Sequence, residues 1–266
     1  MLTSKIVTVF LFVASAVAFA DTAAGIKALD SKDYATAYRE LKAGADQGNA
    51  EAQFYLGVMY ARGIGVQQDI SEAMRLYQLS AAQGNAQAQL RLGIRYSQGW
   101  GVQQDFAEAS HWLTMAANQG ESRAQQGIAQ MYEEGVGVQQ DYKAAIYYYR
   151  LAAAQGVREA LYNLAELVDK GKGTKRDEAA AFKLYKQAAD RGYAPAEEKV
   201  GAMYASGTGV TADPAQAYFW STLAAKQNEK NAEKRLQALA AKLPADQASK
   251  VKQSADDWKP ILASAK

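Results

Sequence analysis

The sequence contains no cysteine and only one histidine, His111, among its 266 residues. Without cysteine there can be no disulfide, no thiolate catalysis and no cysteine-ligated metal site. A single histidine also excludes a His-rich metal cluster. Proline is scarce, with 4 residues against 21 glycines, a balance expected of helices punctuated by turns. We therefore expect no bound metal and no cofactor.

The chain also lacks an excess of one charge. Its 30 basic and 28 acidic residues give a formal charge of +2, too close to neutral to indicate nucleic acid or an anionic membrane as a partner. With 49% hydrophobic and 22% charged residues, the composition is that of an ordinary soluble protein with enough apolar surface for a continuous core.

The first twenty residues have the features of a secretory signal peptide. Lys5 supplies the positive start, and the apolar stretch 6–14 is too short to span a bilayer as a stable helix. Ala18 and Ala20 flank Phe19 as a small-x-small cleavage site, which would make Asp21 the new N-terminus. The alternative is an uncleaved membrane anchor. We expect cleavage after Ala20, a soluble mature protein in the periplasm, and no membrane association after cleavage.

A repeat of 36 residues dominates the rest of the chain, and its period is set by glycine. Five single glycines lie 36 residues apart: Gly48, Gly84, Gly120, Gly156 and Gly192. Five Gly-x-Gly turns keep the same spacing, beginning at Gly63, Gly99, Gly135, Gly171 and Gly207. Self-similarity at such a period is typical of solenoid proteins. The five repeats are 49–84, 85–120, 121–156, 157–192 and 193–228.

Within one repeat the pattern predicts helix, turn, helix. Ala52, Leu56 and Tyr60 recur at helical spacing in the first helix, which must end at the Gly-x-Gly turn. Asp69 is then the expected N-cap of the second helix, with Glu72 placed like the acid of a capping box. Columns of alanine allow close helix packing, and large residues such as Tyr60 and Trp112 would fill the gaps.

Both ends of the array look capped. Residues 21–48 contain a half repeat in which Asp33 corresponds to Asp69. Residues 229–266 carry two further apolar stripes, one through Leu236, Leu239 and Leu243 that Pro244 interrupts, the other through Val251, Ala255, Trp258 and Leu262. The sequence therefore predicts an all-α fold, a right-handed α-solenoid of five helix-turn-helix repeats with helical caps.

The repeat resembles the Sel1-like repeat family, a relative of the tetratricopeptide repeats. The resemblance rests on the segment 49–53 followed by Leu56, Gly57 and Tyr60, then Gly63, Gly65, Val66, Asp69, Ala73, Ala81, Ala82 and Gly84. It covers about 180 residues in five copies. The repeat departs from the pattern at Ala129, Ala165 and Val168. The resemblance implies adaptor or scaffold work, often in the bacterial envelope, and no shared catalytic residue.

Three patterns that suggest chemistry have simpler explanations. Ser249 and Lys252 have the Ser-x-x-Lys spacing of penicillin-recognising enzymes, but no Ser-Asp-Asn or Lys-Thr-Gly follows, and chance on a polar helix face explains them. Lys172 lies in a Gly-x-Gly turn without the strand that a phosphate loop needs. His111 occupies a variable column that is typical of an outer face. We therefore expect no catalytic residue and no enzyme activity.

A partner is expected in the concave groove lined by the first helices, as in tetratricopeptide-like solenoids. A stripe on these helices avoids the packing columns and varies freely, as a tailored surface would; an ordinary solvated surface is the alternative. Arg95 stands in a column otherwise held by Met or Leu, where it can snorkel from the core or offer a charge to the groove. The predicted partner-binding residues are Glu51, Tyr55, Arg62, Gln87, Arg91, Arg95, Gln98, Trp100, Asn163 and Glu166.

The sequence thus indicates an exported, monomeric protein–protein interaction scaffold that binds a protein or peptide. Two alternatives stay open. One is a β-lactam-binding or hydrolysing envelope protein, because some cysteine-rich relatives are described in that way. The other is a factor associated with the cell wall or exopolysaccharide that uses aromatic side chains against glycans.

Overall fold

The computed structural model describes residues 21–261. The described chain is helical, without a strand between residues 21 and 261. Its helices are α1 (Thr22–Asp30), α2 (Tyr34–Asp46), α3 (Ala50–Arg62), α4 (Ile70–Ala82), α5 (Ala86–Gln98), α6 (Phe106–Asn118), α7 (Ser122–Glu134), α8 (Tyr142–Ala154), α9 (Arg158–Lys170), α10 (Glu178–Ala189), α11 (Ala194–Ser206), α12 (Pro214–Lys226), α13 (Ala232–Ala240) and α14 (Ala245–Asp257).

The helices belong to two compact units, and the boundary between them falls after Ser80, inside α4. We call the first helix of each repeat (α3, α5, α7, α9 and α11) the A helix and the second (α4, α6, α8, α10 and α12) the B helix. Within the second unit, each A helix packs against the B helix that follows it. The predicted all-α solenoid of helix-turn-helix repeats is confirmed.

Each A helix ends at the first glycine of its Gly-x-Gly turn, as predicted. Gly135 closes α7 in the left-handed conformation, with φ of +70°. The second glycine of the same turn, Gly137, has φ of +71°, and a Cβ there would lie 2.1 Å from the backbone oxygen of Phe106. Glycine is therefore required at both positions because φ is positive, and at Gly137 also because a Cβ would collide with the neighbouring backbone.

The aspartate N-caps of the B helices are confirmed, but the capping box is wrong. Asp69 accepts a hydrogen bond from the Glu72 amide at 2.9 Å. The Glu72 carboxylate does not return to the cap and binds Arg75 instead, at 2.6 Å. The reason is that the Asp69 amide already donates to the carbonyl oxygen of Tyr60, at 3.0 Å. A donor satisfied by the preceding A helix needs no partner from the capping box.

The core consists of alanine columns interleaved with larger side chains. The alanines of the two predicted columns are 0–1% exposed in every repeat: Ala52, Ala88, Ala124, Ala160 and Ala196, with Ala73, Ala109, Ala145, Ala181 and Ala217. Trp112 is half-buried, and its indole nitrogen donates to the Glu108 carboxylate at 3.0 Å. Small side chains at these columns let the helix backbones approach closely.

A column of buried amides also runs through the core, and the sequence did not reveal it. Gln89 and Gln125 are 0% and 3% exposed. The amide of each donates to a backbone oxygen eight residues earlier, that of Ala81 or Ala117, at 3.1 Å. Each also accepts a hydrogen bond from a glutamine at the end of the following B helix. The same column holds Leu161 and Glu197 in the last two repeats.

The segments predicted to cap the array are helical, and the C-terminal one differs in detail from the prediction. The N-terminal segment forms α1 and α2, and Asp33, which corresponds to Asp69, caps α2 by accepting a hydrogen bond from the Thr36 amide at 3.2 Å. At the other end α13 stops at Ala240, so Leu243 lies beyond it, and α14 stops at Asp257. Trp258 is therefore extended rather than helical, and its ring packs edge-on against Trp220, 6.0 Å between centroids. The spacing predicts that Trp258 continues the apolar stripe of one helix, whereas in the structure Trp258 packs on α12 from an extended segment.

The signal peptide, its cleavage site after Ala20 and Leu262 lie outside the described residues. No helix between residues 21 and 261 combines the length and the apolar character needed to cross a bilayer.

Candidate functional site

The predicted stripe in the first unit lies on the surface of α3. Glu51 and Arg62 are exposed, and Tyr55 is half-buried. The Tyr55 ring lies edge-on to Phe54 at 5.2 Å. Burial, with the negative charge of Glu51, raises the pKa of Tyr55. The hydroxyl of this half-buried tyrosine therefore stays neutral.

In the second unit the stripe begins on α5. Gln87 and Gln98 are exposed, and the Gln87 amide donates to the Glu121 carboxylate at 2.5 Å. Arg91 is half-buried, and its Nε is buried without a hydrogen-bond partner within residues 21–261. An unsatisfied guanidinium N–H has an energetic reason to donate a hydrogen bond to an oxygen of a partner.

Arg95 and Trp100 come together at the end of α5. The Arg95 guanidinium lies over the Trp100 ring, 5.9 Å from its centroid, and Trp100 is 59% exposed. The Met and Leu residues of the same column are at most 7% exposed, whereas Arg95 is half-buried. Arg95 therefore leaves the core and places its charge on an exposed aromatic ring.

Asn163 and Glu166, on α9, are already engaged inside the protein. The Asn163 amide donates to the Tyr149 hydroxyl at 3.2 Å, and Glu166 accepts from the Tyr185 hydroxyl at 3.0 Å. Burial alone would raise the pKa of Glu166, but hydrogen bonding and charge from Lys170 and Lys199 outweigh it and lower the pKa. A partner would have to displace these contacts, so the two residues are less available than those on α5.

A cavity of about 580 Å³ lies between α5, α7 and α9 and joins part of the stripe to residues that the sequence prediction missed. Three of its lining residues are arginines. Its lining is Ile94, Ser122, Arg123, Gln126, Gly156, Val157, Arg158, Glu159, Arg191 and Ile261. A cavity of this volume is in the range of sites for small ligands or a few peptide residues.

The three arginines differ in the hydrogen bonds that their guanidinium groups make within the protein. Arg158 is held by the carbonyl oxygens of Arg191 and Gly192, at 3.3 and 3.1 Å. Arg191 donates to the Gln187 carbonyl oxygen at 2.8 Å, while its Nε is buried without a partner in the described chain. Arg123 is exposed and forms no ion pair or hydrogen bond within residues 21–261. One exposed guanidinium without a partner in the described chain and two guanidiniums held by backbone carbonyl oxygens therefore border the same space, where a carboxylate can be bound.

Sequence reasoning contained a signal for only one of these arginines. Arg123 occupies the stripe position that Gln87 holds in the preceding repeat, so the stripe rule includes it. Arg158 and Arg191 lie in other columns, at the start of α9 and after α10. Only the packing of α9 on α10 brings them to the cavity.

The end of the described chain lies against this cavity as an extended segment. The Ile261 amide donates to the carbonyl oxygen of Asp190 at 2.7 Å. A Cβ on Gly192 would lie 3.1 Å from the Cβ of Pro260, which shows how closely this segment packs. The surface therefore already accepts extended polypeptide at its edge.

The residues considered for chemistry have structural surroundings. The Ser249 hydroxyl donates to the backbone oxygen of Ala245 at 2.9 Å. Lys172 lies over the ring of Tyr142, 5.1 Å from its centroid, beside the Gly171 cap. His111 is exposed, with its ring 5.1 Å from that of its neighbour Trp112. Among the described residues, no three His, Asp or Glu side chains are grouped so as to hold a metal ion.

The comparisons with known proteins agree on one family. The Sel1 repeat family matches residues 50–85, 86–121, 122–157, 158–193 and 194–229. A Sel1 repeat protein from Oxalobacter formigenes is similar in structure, with 30% identity and a TM-score of 0.78 over 88% of this chain and 98% of that one. The protective antigen c5321 of uropathogenic Escherichia coli, which has the same fold, shares 28% identity with a TM-score of 0.60. That similarity covers 88% of this chain and 60% of the antigen. No curated protein matches in sequence.

Proposed function

Because the chain belongs to the Sel1 repeat family, whose members generally mediate protein–protein interaction, we propose that this protein is an exported, non-enzymatic adaptor. It binds an extended, acidic segment of a partner protein on the A helices of its second unit. The observation that carries the proposal is the cavity bordered by Arg123, Arg158 and Arg191.

The chemistry of the cavity favours an acidic polypeptide. Guanidinium groups bind carboxylates with directed hydrogen bonds, and Arg is enriched at the energetic centres of protein interfaces. Ile94 adds an apolar contact to the same lining. At the cavity edge, the backbone carbonyl oxygen of Asp190 accepts a hydrogen bond from the amide of Ile261 at 2.7 Å, so this edge already binds one extended segment of polypeptide.

Export is the second part of the proposal, and it rests on the first twenty residues alone. The positive start, the short apolar stretch and the Ala18-Phe19-Ala20 site together favour cleavage and release into the periplasm. The acidic partner is accordingly sought in the envelope.

Site-specific crosslinking in the periplasm tests the binding surface. A photoreactive amino acid at Gln126, which lines the cavity, is expected to capture a protein partner. The same group at Met115, 37% exposed on α6, is the matched control. Arg123→Glu is expected to abolish capture at position 126 without unfolding the protein, because the Arg123 side chain is exposed. Equal capture at position 115, or capture that survives the charge reversal, would show that the partner binds elsewhere. Capture of glycan instead of protein would favour the cell-wall alternative.

A further inference from the structure

The fourth repeat departs from the others at the tyrosine position near the end of its A helix. Four repeats carry a tyrosine there: Tyr60, Tyr96, Tyr132 and Tyr204. The fourth carries Val168. A valine lacks the ring and hydroxyl of tyrosine, so the space that a ring fills elsewhere must be empty or filled by something else.

The tyrosines show what that space normally holds. The Tyr132 ring stacks on Tyr148 of the following B helix, with centroids 6.0 Å apart and an interplanar angle of 6°. The Tyr204 ring lies edge-on to Phe182 of the preceding B helix, at 5.1 Å. An aromatic ring at this position therefore packs against the flanking B helices.

Around Val168 the ring is replaced by an open cavity of about 480 Å³ between α8, α9 and α10. Its floor is apolar, because Leu161, Leu164 and Val168 are only 2%, 4% and 8% exposed. Leu161 stands where three other repeats have a buried glutamine, so a second departure in the same repeat removes the polar group from the floor. We call this cavity the Val168 slot; it is lined by Arg150, Ala153, Ala154, Leu161, Leu164, Val168, Ala180, Lys183, Leu184 and Gln187.

The rim of the Val168 slot is positively charged. Arg150 on α8 and Lys183 on α10 are both exposed, and both line the slot. Neither forms an ion pair or a side-chain hydrogen bond with another residue in the range 21–261. An apolar floor between two unpaired cations is complementary to a ligand in which an aromatic or apolar group is flanked by negatively charged groups.

We propose that the Val168 slot is a second docking site, for an acidic peptide segment of a protein partner that inserts one Tyr or Phe side chain. The inserted ring takes the place that Tyr132 and Tyr204 fill in their own repeats. Acidic residues on either side of it pair with Arg150 and Lys183. A peptide is favoured over a lipid because the group that fills this space elsewhere in the chain is a side chain of polypeptide. The slot lies between α9 and the flanking B helices α8 and α10, shares no lining residue with the cavity bordered by Arg123 and does not depend on the function proposed for that cavity.

A titration of the mature protein with a designed peptide tests the slot. The probe is acetyl-Glu-Asp-Tyr-Asp-Glu-amide, followed by amide chemical shifts in ¹⁵N-labelled protein. We expect saturable shifts centred on Leu161, Val168 and Leu184, and none from the matched peptide with alanine in place of tyrosine. Shifts centred elsewhere, or equal shifts with the alanine peptide, would overturn the proposal.

Two variants separate the slot from nonspecific attraction. Val168→Tyr restores the residue of the other repeats and is expected to weaken peptide binding by about tenfold or more, because the space is then filled from within. Arg150→Glu is expected to weaken binding by about fivefold at low salt. Lys143→Glu, an equal charge change on the same helix outside the slot, is expected to have little effect.

The remaining outcomes also decide the question. Unchanged affinity in Val168→Tyr, or equal losses in Arg150→Glu and Lys143→Glu, would refute the slot. Binding of decanoate at Val168 with no binding of the tyrosine peptide would show a lipid site instead. Because Arg150→Glu changes only an exposed side chain, the test does not depend on the folding of Val168→Tyr.

Discussion

Replacing Glu197 by glutamine is expected to stabilise the protein at alkaline pH and to leave it unchanged at acidic pH. Glu197 is fully buried in the column that Gln89 and Gln125 occupy in earlier repeats. Its Oε2 accepts a hydrogen bond from Gln227 at 2.9 Å, as the glutamines do from their own neighbours. Its Oε1 has no partner within residues 21–261. The equivalent glutamine atom is the amide nitrogen, which donates to a backbone oxygen, and an ionised carboxylate has no hydrogen to donate.

The magnitude follows from the pKa of this carboxyl group. Burial raises the pKa of Glu197 from 4.5 to about 7, although the hydrogen bond from Gln227 and the charge of Arg158 oppose the change. Lys226 and Glu229 also face the group, with opposite effects. A raised pKa means that the protonated form stabilises the fold fully below pH 4.5, and that this contribution is lost as the pH rises through about 7. The loss is at most about 3 kcal/mol.

The amide of Glu197→Gln cannot ionise, so the variant should not show this loss. Urea unfolding at pH 4, 6 and 8, followed by tryptophan fluorescence, measures the difference. Trp220 and Trp258 report on this region, because both pack with the cluster around α11. We expect the variant to exceed the wild type by about 2–3 kcal/mol at pH 8 and by less than about 0.5 kcal/mol at pH 4.

The reverse substitution is the matched control. Gln125→Glu places a carboxyl group in an equivalent buried position, where the amide now donates to Ala117 at 3.1 Å. It should destabilise the protein at pH 8 and much less at pH 4. A gain in Glu197→Gln that is the same at every pH, or a Gln125→Glu variant without pH-dependent loss, would refute the argument that protonation replaces the amide.

Three further predictions concern the turns, the caps and the N-terminus. Gly137→Ala should cost well above the about 1–2 kcal/mol of a left-handed alanine, because its Cβ would collide with backbone; Gly120→Ala, with φ of +92° and nothing within 4 Å of the added Cβ, should cost only that amount in urea unfolding. Asp141→Ala should lose about 1 kcal/mol, since its carboxylate caps α8 with two hydrogen bonds, and a loss below about 0.3 kcal/mol would contradict this role. Edman sequencing of the periplasmic protein should begin at Asp21, and a chain that keeps Ala20 would contradict the cleavage site.

The repeated elements of the fold were predictable because their causes are local. A glycine at a left-handed position ends an A helix by its own backbone preference, and an aspartate before a B helix caps it within three residues. The capping box failed because its competitor is not local: the Asp69 amide is satisfied by Tyr60, at the far side of the turn. The end of α14 at Asp257 differs from the apolar spacing for the same reason, since Trp258 packs on another helix.

The candidate site was predictable only in part. The stripe rule selects surface positions of one helix, and on α5 it selects Gln87 and Gln98, which are exposed, and Arg91, which is half-buried. The rule cannot tell which polar side chains already form hydrogen bonds within the protein, as Asn163 does with Tyr149. It also cannot join Arg158 and Arg191 to Arg123, because these residues share a cavity through packing and not through spacing.

The sequence by itself determined the period of 36 residues, the family and the absence of cysteine chemistry, and it is the basis on which we propose export. These properties depend on residue type and on spacing along the chain, so they can be inferred without knowledge of tertiary contacts. Tertiary structure alone decided what the exceptions to the repeat mean. In the sequence, Val168 is one valine in a column of tyrosines, and the packing around it shows that a cavity of about 480 Å³ lies beside the smaller side chain. Glu197 is one acid among 28 in the sequence. In the structure it is buried, and its Oε1 occupies a position where a glutamine of an earlier repeat donates a hydrogen bond. The energy of a side chain in a packed core depends on such neighbouring groups.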